Sequence, residues 1–258
     1  MEMFWGVPEV GYGLAIGLII AATLTTFLGT VTGTAGGMLL LAVMTFFFPL
    51  SVLIPMHTMI QLGAGASRMC MMWQHVKKPL MVPFAIGACI GAFTGAQIFV
   101  TLPSALLQAI LGGFILIVMW MPRIGAGGPE KIRFGILGLF TTFLGIFVSA
   151  TGTFLASFVS HASKDRHMHV ATLATLMTIS HIAKLIAFGF VGAAIGAYIP
   201  LVLLMILGTV LGNWLGQKTL KRIPEHLFRR ILQILLTILA IRLLLGALLE
   251  AAGINKLI

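Results

Sequence analysis

The sequence contains very few charged residues. Only 9% of its 258 residues are Asp, Glu, Lys or Arg, whereas a soluble domain carries about a quarter. Hydrophobic residues make up 59% of the chain, and its mean hydropathy is +1.11. This charge content is too low to cover a surface in contact with water. The composition therefore predicts a membrane protein.

Cysteine and acidic residues are also scarce. Cys70 and Cys89 both lie in apolar runs, which excludes a disulfide framework and a zinc cluster of the usual spacing. A metal-cation transporter or a carboxylate proton relay needs Asp or Glu inside the membrane, and this interior has none. An anion path is the alternative that remains. All six acids fall in loops or near the termini: Glu2, Glu9, Glu130, Asp165, Glu225 and Glu250.

Ten apolar segments follow one another along the chain. Because lipid cannot satisfy an open strand edge, and because the apolar runs do not alternate as barrel strands do, we expect helices. Segment 151–162 spans about two thirds of a bilayer and is expected to be a half-helix. The fold class is therefore all-α: a polytopic membrane protein with 8 to 10 transmembrane or half-membrane helices. The ten segments are 12–32, 35–49, 52–75, 80–101, 104–121, 133–149, 151–162, 169–192, 196–217 and 225–249.

The loops between these segments predict the orientation of the chain. Residues 1–10 carry two Glu and no Lys or Arg, so the first apolar run is expected to be a retained span rather than a signal peptide. Every basic loop follows an odd-numbered segment and should face the cytoplasm, with both termini periplasmic or extracellular. This distribution explains the net charge of +10 without a nucleic-acid partner. The basic loops contain Lys77, Lys78, Arg123, Lys131, Arg133, Lys164, Arg166, Lys218, Lys221, Arg222, Arg229 and Arg230.

An internal repeat relates the two halves of the chain. The tetrapeptide Thr-Phe-Leu-Gly at 26–29 recurs at 142–145, an offset of 116, and each copy leads into a run of Gly, Thr and Ser. Five segments per half is an odd number, so the second half should enter the membrane from the opposite side. Inverted repeats with broken helices near the midplane are common in secondary transporters. We expect a first repeat at 1–122, a cytoplasmic linker at 123–132 and a second repeat at 133–258.

The Gly, Thr and Ser runs at 32–37 and 149–153 allow two interpretations. They could permit close helix packing, or they could free backbone N–H groups at the start of a half-helix and hold an anion there. The repetition and the short segments that follow favour the anion site. Packing is the favoured interpretation for two further glycine rows, Gly87, Gly91 and Gly95, and Gly208, Gly212 and Gly216.

Two cations lie inside apolar segments at positions that the repeat offset relates. Arg68 lies in the third segment and Lys184 in the eighth, and a cation at a helix centre costs about 2.5 to 3.5 kcal/mol on insertion scales. The alternative is that their side chains reach the interface, where the cost falls. On the Arg68 helix, His57 and Gln61 share its face, and His181 lies one turn before Lys184. The histidines could carry a coupled proton, contact an oxyanion or be satisfied core residues.

These residues resemble a known family. The Gly/Thr-rich run at 29–37 and the Gly-xxx-Gly patterns before Leu102-Pro103 and Ile223-Pro224, in a chain of 258 residues with two related halves, are similar to the sulfite exporter TauE/SafE family. The resemblance implies an inner-membrane carrier that moves sulfite, sulfoacetate or related sulfonates. The family pattern maps onto Gly33, Gly36 and Gly37 and more loosely onto Gly152.

The residues predict a transporter of a small anion that works by alternating access around a midplane site, and the resemblance implies that the anion contains sulfur. A passive anion channel is the alternative, and a membrane insertase or scaffold is a weaker one. We expect no enzymatic activity, catalytic residue, metal or cofactor, and only the anion and the bilayer as partners. The predicted substrate-binding residues are Thr32, Gly33, Thr34, Gly36, Gly37, His57, Gln61, Arg68, Ser149, Thr151, Gly152, Thr153, His181 and Lys184.

Overall fold

A computed structural model describes residues 3–32, 36–120, 128–149, 151–192, 195–219 and 225–252. Ten α-helices account for most of these residues, and four short 3-10 helices lie at Phe4–Gly6, Trp73–His75, Lys78–Leu80 and Gly196–Tyr198. The α-helices are α1 Tyr12–Thr32, α2 Gly36–Met44, α3 Leu50–Met71, α4 Met81–Phe99, α5 Ser104–Trp120, α6 Glu130–Val148, α7 Gly152–Ala162, α8 Arg166–Phe190, α9 Ile199–Lys218 and α10 Glu225–Ala251.

The all-α membrane fold is confirmed. Within the described ranges, five helices are long and apolar enough to cross a bilayer: α1, α4, α6, α8 and α9, two of them together with the short helix before them. Large apolar side chains such as Ile86, Phe190 and Leu207 are exposed on the outside of the bundle, where lipid is their natural solvent. Segment 151–162, predicted as a half-helix, forms α7 with 11 residues, and segment 35–49 contains α2 with 9 residues.

Two glycine rows bring pairs of long helices into close contact. A Cβ at Gly87 would overlap the backbone oxygen of Gly135, and one at Gly91 would overlap that of Leu139, so α4 lies directly against α6. In the same way Gly212 lies against the backbone oxygen of Thr23 and joins α9 to α1. The packing role predicted for both rows is confirmed. Along each pair the contacts advance in the same direction, so the paired helices are parallel.

The loop contacts divide the helix ends into two groups. The Lys77 ammonium, in the α3–α4 connection, forms an ion pair with Glu130 Oε1 at 2.7 Å and donates to Ala162 O at 3.0 Å. These bonds collect the end of α3, the start of α6 and the end of α7 on one side. On the other side, Phe48 before α3 packs edge to face against Tyr198 before α9. The chain therefore alternates between two faces.

The start of α8 shows how a buried helix is fixed at a loop. Asp165 is its N-cap and accepts a hydrogen bond from the Met168 N–H at 2.8 Å. This bond favours the carboxylate, and it holds the pKa of Asp165 below its usual range. The next residue, Arg166, donates to the Val31 carbonyl near the end of α1. Arg166 thereby satisfies one of the carbonyl groups that a helix end leaves open.

Candidate functional site

A cavity of about 100 Å³ lies between the two short helices and the centres of α1, α3 and α8. The first residues of α2, Gly36 and Gly37, form part of its wall, and so do the first residues of α7, Gly152 and Thr153. Residues from both halves of the chain therefore surround one space. Its apolar wall comes from Met38, Leu173 and Met177.

The starts of α2 and α7 supply backbone donors to this cavity. The N–H groups in the first turn of a helix have no acceptor within the helix, and the helix dipole makes that end positive. Thr151 precedes α7 without making a side-chain cap, so its hydroxyl does not take up these N–H groups. At the start of α2, a Cβ at Gly36 would lie 2.8 Å from Gly29 Cα, so only glycine allows this approach to α1.

Arg68 is the cation that lines the cavity, and a polar network fixes its guanidinium. Nε and Nη2 donate to Asn213 Oδ1 at 3.2 and 2.8 Å, and Nη2 also donates to Thr30 Oγ1 at 2.8 Å. Asn213 is fully buried in α9 and donates in turn to Ala64 O and Ser67 Oγ. No carboxylate takes part in this network, so Arg68 keeps its full positive charge beside the cavity.

His57 connects the ends of the two broken helices. Its ring is 0% exposed; Nε2 lies 2.8 Å from Gly37 O, and Nδ1 lies 2.8 Å from Ser149 Oγ. A carbonyl oxygen only accepts, so Nε2 carries a proton and donates to Gly37. In the neutral ring Nδ1 then accepts from the Ser149 hydroxyl. Ser149 itself is in a left-handed conformation, φ 56°, where α6 ends.

Lys184 lies behind the wall of the cavity and does not line it. Its side chain is 0% exposed, and Nζ donates to Gly145 O at 3.3 Å. A Cβ placed on Gly145 would lie 3.4 Å from both Lys184 Nζ and Thr151 Oγ1, which puts the ammonium near the start of α7. Lys184 is therefore separated from the cavity by one layer of residues.

Three polar atoms close to the cavity have no hydrogen-bond partner among the described residues: Thr151 Oγ1, Thr153 Oγ1 and His181 Nδ1. Thr153 and His181 line the cavity, whereas Thr151 lies in the layer behind it. Leaving a buried polar atom unpaired costs about 1 to 3 kcal/mol. Atoms of this kind at one cavity are typical of a site that is completed by a ligand.

The predicted site residues fall into three groups. His57, Thr151 and Lys184 lie close to the cavity but do not line it. Gly33 and Thr34 lie outside the described residues, as does the side chain of Thr32. The predicted residues that line the cavity are Gly36, Gly37, Gln61, Arg68, Ser149, Gly152, Thr153 and His181.

Asn213 and Thr30 orient Arg68, and neither was among the residues predicted from the sequence. An amide within an otherwise apolar helix is a signal that could have pointed to Asn213. Across the described ranges, no group of three or more His, Cys, Asp or Glu residues is placed to hold a metal ion. The chemistry available at the cavity is hydrogen-bond donation and positive charge, which suits an oxyanion.

Comparison with known proteins gives one result. A family model described as sulfite exporter TauE/SafE matches residues 18–243, which is most of the chain. Searches of curated proteins and of solved structures gave no match.

Proposed function

The chain belongs to the sulfite exporter TauE/SafE family, whose members are membrane transporters of sulfur-containing anions such as sulfite, and from this premise we propose that the anion binds in the cavity between α2 and α7. The observation that carries the proposal is the convergence of Arg68 and two half-helix starts on one space without a carboxylate. Positive charge and unpaired donors there select an oxyanion over a cation.

Arg68 is the principal ligand in this proposal. Asn213 and Thr30 engage Nε and Nη2 of its guanidinium, and Nη1 is left for the substrate. The first-turn N–H groups of α7 and the Thr153 hydroxyl bind other oxygens of the same anion. Sulfite, sulfoacetate and related sulfonates present three oxygens on one sulfur, which matches donors arriving from several directions. Apolar contacts with Met38 and Met177 suit the organic part of a sulfonate.

We propose alternating access as the way in which this site opens to each side. The contacts support two related halves, 1–122 and 133–258, joined by the linker 123–132. The α4–α6 contact of one half with the other has its counterpart in α9–α1, and the central helices α3 and α8 pack on each other. Rocking of one half against the other exposes the site alternately. The proposed location is the cell inner membrane, with both termini on the outer side.

Flux into liposomes tests this proposal. Purified protein is reconstituted and supplied with sulfite, thiosulfate, sulfoacetate, sulfate, taurine or acetate. Arg68→Ala removes charged hydrogen bonds worth about 1.5 to 3 kcal/mol, so we expect sulfite flux at low concentration to fall about 10- to 100-fold. Arg242→Ala is the matched control, because this residue of α10 does not line the cavity and its guanidinium packs over the ring of Phe46, between α2 and α3.

Two results would contradict the proposal. Normal sulfite flux by the Arg68→Ala variant would show that Arg68 does not bind the substrate. Saturation of flux at high sulfite and exchange of labelled sulfite against unlabelled sulfite are expected of a carrier. A current that grows without saturation would instead identify the alternative function, a passive anion channel.

A further inference from the structure

Lys184 lies deep in the protein with little compensation for a charge. Its side chain is 0% exposed, and its hydrogen bond to Gly145 O is long, at 3.3 Å. An ammonium group carries three donors, and the described residues offer an acceptor to one of them. A buried charge needs a counter-charge and hydrogen bonds to be tolerated. Among the described residues, protonated Lys184 has one long hydrogen bond and no counter-charge.

In the part of the chain that the structure describes, the helices around α8 place no carboxylate near Lys184. His57 on α3 and His181 on α8 are the titratable side chains that interact with it electrostatically. The acid on a neighbouring helix, Glu130, begins α6, about 22 Å along the helix axis from Gly145. The other charged or titratable groups on the packed elements lie toward their ends or on their outer faces: Arg68, Cys70, His75, Cys89, Lys131, Arg133, His161, Arg166, His167 and His169.

A bound anion would supply the missing counter-charge. Lys184 Nζ lies near Thr151 at the start of α7, and the next residues, Gly152 and Thr153, line the cavity. His181, one turn before Lys184 on the same helix, lines it too. An anion held at the start of α7 is therefore separated from Lys184 by a single layer of atoms. In a site shielded from water, the attraction between the anion and a protonated Lys184 across one layer of atoms is strong.

We propose that Lys184 is neutral in the empty carrier and takes up one proton when the anion binds, so that proton and anion cross the membrane together. This inference rests on the proposed function of the cavity. The Lys184 amine binds a proton from the water on the side where the site is open, and it returns that proton to water on the other side when the anion leaves. Each cycle then moves one anion and one proton in the same direction.

Linkage fixes the sign of the pH effect. The anion-bound protein holds one more proton than the empty protein, so rising pH weakens anion binding. At pH values at which Lys184 is neutral in the empty protein, we expect the dissociation constant of the anion to rise up to about tenfold for each unit of increasing pH. A carrier without this coupling would bind a fully ionised anion with no pH dependence from this group.

Proton uptake on binding tests the proposal. Purified protein in weakly buffered detergent solution at about pH 8.5, where the anions bring no proton of their own, is mixed with sulfite, thiosulfate or sulfoacetate in the presence of a pH indicator. We expect about one proton taken up per anion bound. Lys184→Met should bind more weakly and take up none. Lys184→Arg, which stays charged, should bind without proton uptake and with little dependence on pH. Arg242→Met is the control and should behave as the unmodified protein does.

The outcomes separate this proposal from the proposed function. Anion binding by the unmodified protein without proton uptake overturns the coupling alone. Proton uptake that persists in Lys184→Met assigns it to another group, with His181 the next to be replaced. Failure of all three anions to bind overturns the proposed function and the coupling with it. If both Lys184 variants fail to fold, the proton count of the unmodified protein still decides whether coupling occurs.

Discussion

At the scale of single residues, His57 holds together parts of the molecule that are far apart in the chain. Its two ring nitrogens reach Gly37 O at the start of α2 and Ser149 Oγ at the end of α6. The Thr58 hydroxyl approaches the same Ser149 Oγ at 3.1 Å. Since the two broken helices belong to different halves of the chain, His57 couples their positions.

Removing this ring should weaken the whole fold. His57→Ala removes the side-chain donor to Gly37 O and leaves the Thr58 hydroxyl as the remaining side-chain partner of Ser149 Oγ, at a cost of about 1 to 3 kcal/mol, and it leaves a void as well. We expect a clear drop in unfolding temperature, followed by tryptophan fluorescence in detergent, together with slower sulfite flux. His161→Ala is the control, because this exposed histidine bonds only within α7, to Ser157 O. Equal unfolding temperatures for His57→Ala and the unmodified protein would contradict the coupling role.

Asn213 orients Arg68 without neutralising the positive charge that faces the cavity. Its amide oxygen accepts from Arg68, and its amide nitrogen donates to Ala64 O and Ser67 Oγ. In Asn213→Asp, a carboxylate would neutralise Arg68 and both donations would be lost. We expect at least about tenfold weaker sulfite binding, in line with charged hydrogen bonds of about 1.5 to 3 kcal/mol. The measurement is titration calorimetry at constant pH.

The control for Asn213→Asp keeps the polarity of the site. Asn213→Gln carries the same amide on a longer side chain, so it displaces the network without adding a negative charge. It should bind sulfite more tightly than the Asp variant does. Tighter binding by Asn213→Asp than by Asn213→Gln would mean that Arg68 does not act through its charge.

The sequence predicted many of the residues around the cavity, but not which of them line it and which lie behind its wall. Helix periodicity places His57, Gln61 and Arg68 on one face of α3. It does not show which side chains on that face line the cavity and which lie behind its wall. Arg68 therefore lines the cavity, whereas the residue that the repeat pairs with it, Lys184, lies one layer behind. The Arg68–Asn213 contact joins residues 145 positions apart, and no local pattern encodes such a pairing.

At the scale of helices, the sequence predicted the elements well because each apolar run is bounded by charge, proline or glycine. Predicted segment 12–32 coincides with α1, and 151–162 differs from α7 by one residue at its start. Segment 133–149 begins three residues late, because the first turn of α6 carries Glu130, Lys131 and Arg133. A polar first turn extends a helix out of the apolar region, and an apolar pattern misses it. Residues 35 and 121 of the predicted segments lie outside the described residues.

The close helix pairs predict opposite effects of the same substitution at different glycines. In Gly87→Ala the new Cβ would meet the Gly135 backbone oxygen, which cannot move without separating α4 from α6. Overpacking of this kind costs about 1 to 3 kcal/mol, so we expect a lower unfolding temperature. Gly113→Ala in α5 is the control: its Cβ would meet no atom within 4 Å, and alanine favours helix. A Gly87→Ala protein as stable as Gly113→Ala would contradict the close packing of α4 on α6.

At the scale of the whole molecule, helix contacts divide the chain into two faces. The parallel pairs are α1 with α9 and α4 with α6, so odd-numbered helices pair with odd and even with even, as strict alternation requires. Glu250 at the end of α10 bonds to Ser104 and Gln108 at the start of α5, which places the last described helix end on the face opposite Lys77. The basic residues of the described loops and of the helix ends beside them share the Lys77 face: Lys77, Lys78, Lys131, Arg133, Lys164, Arg166 and Lys218.

The concentration of Lys and Arg on one face predicts that this face is cytoplasmic. In a background in which Cys70 and Cys89 are replaced by alanine, one cysteine is introduced at Lys164, between α7 and α8, or at Thr101, between α4 and α5. Both positions are exposed. A membrane-impermeant maleimide added to spheroplasts should label Thr101→Cys at once and Lys164→Cys only after the membrane is permeabilised. The reverse order of labelling would invert the proposed topology, and labelling of both positions from outside would contradict the alternation of the helices. Because the two positions lie on opposite faces of the same fold, each serves as the accessibility control for the other.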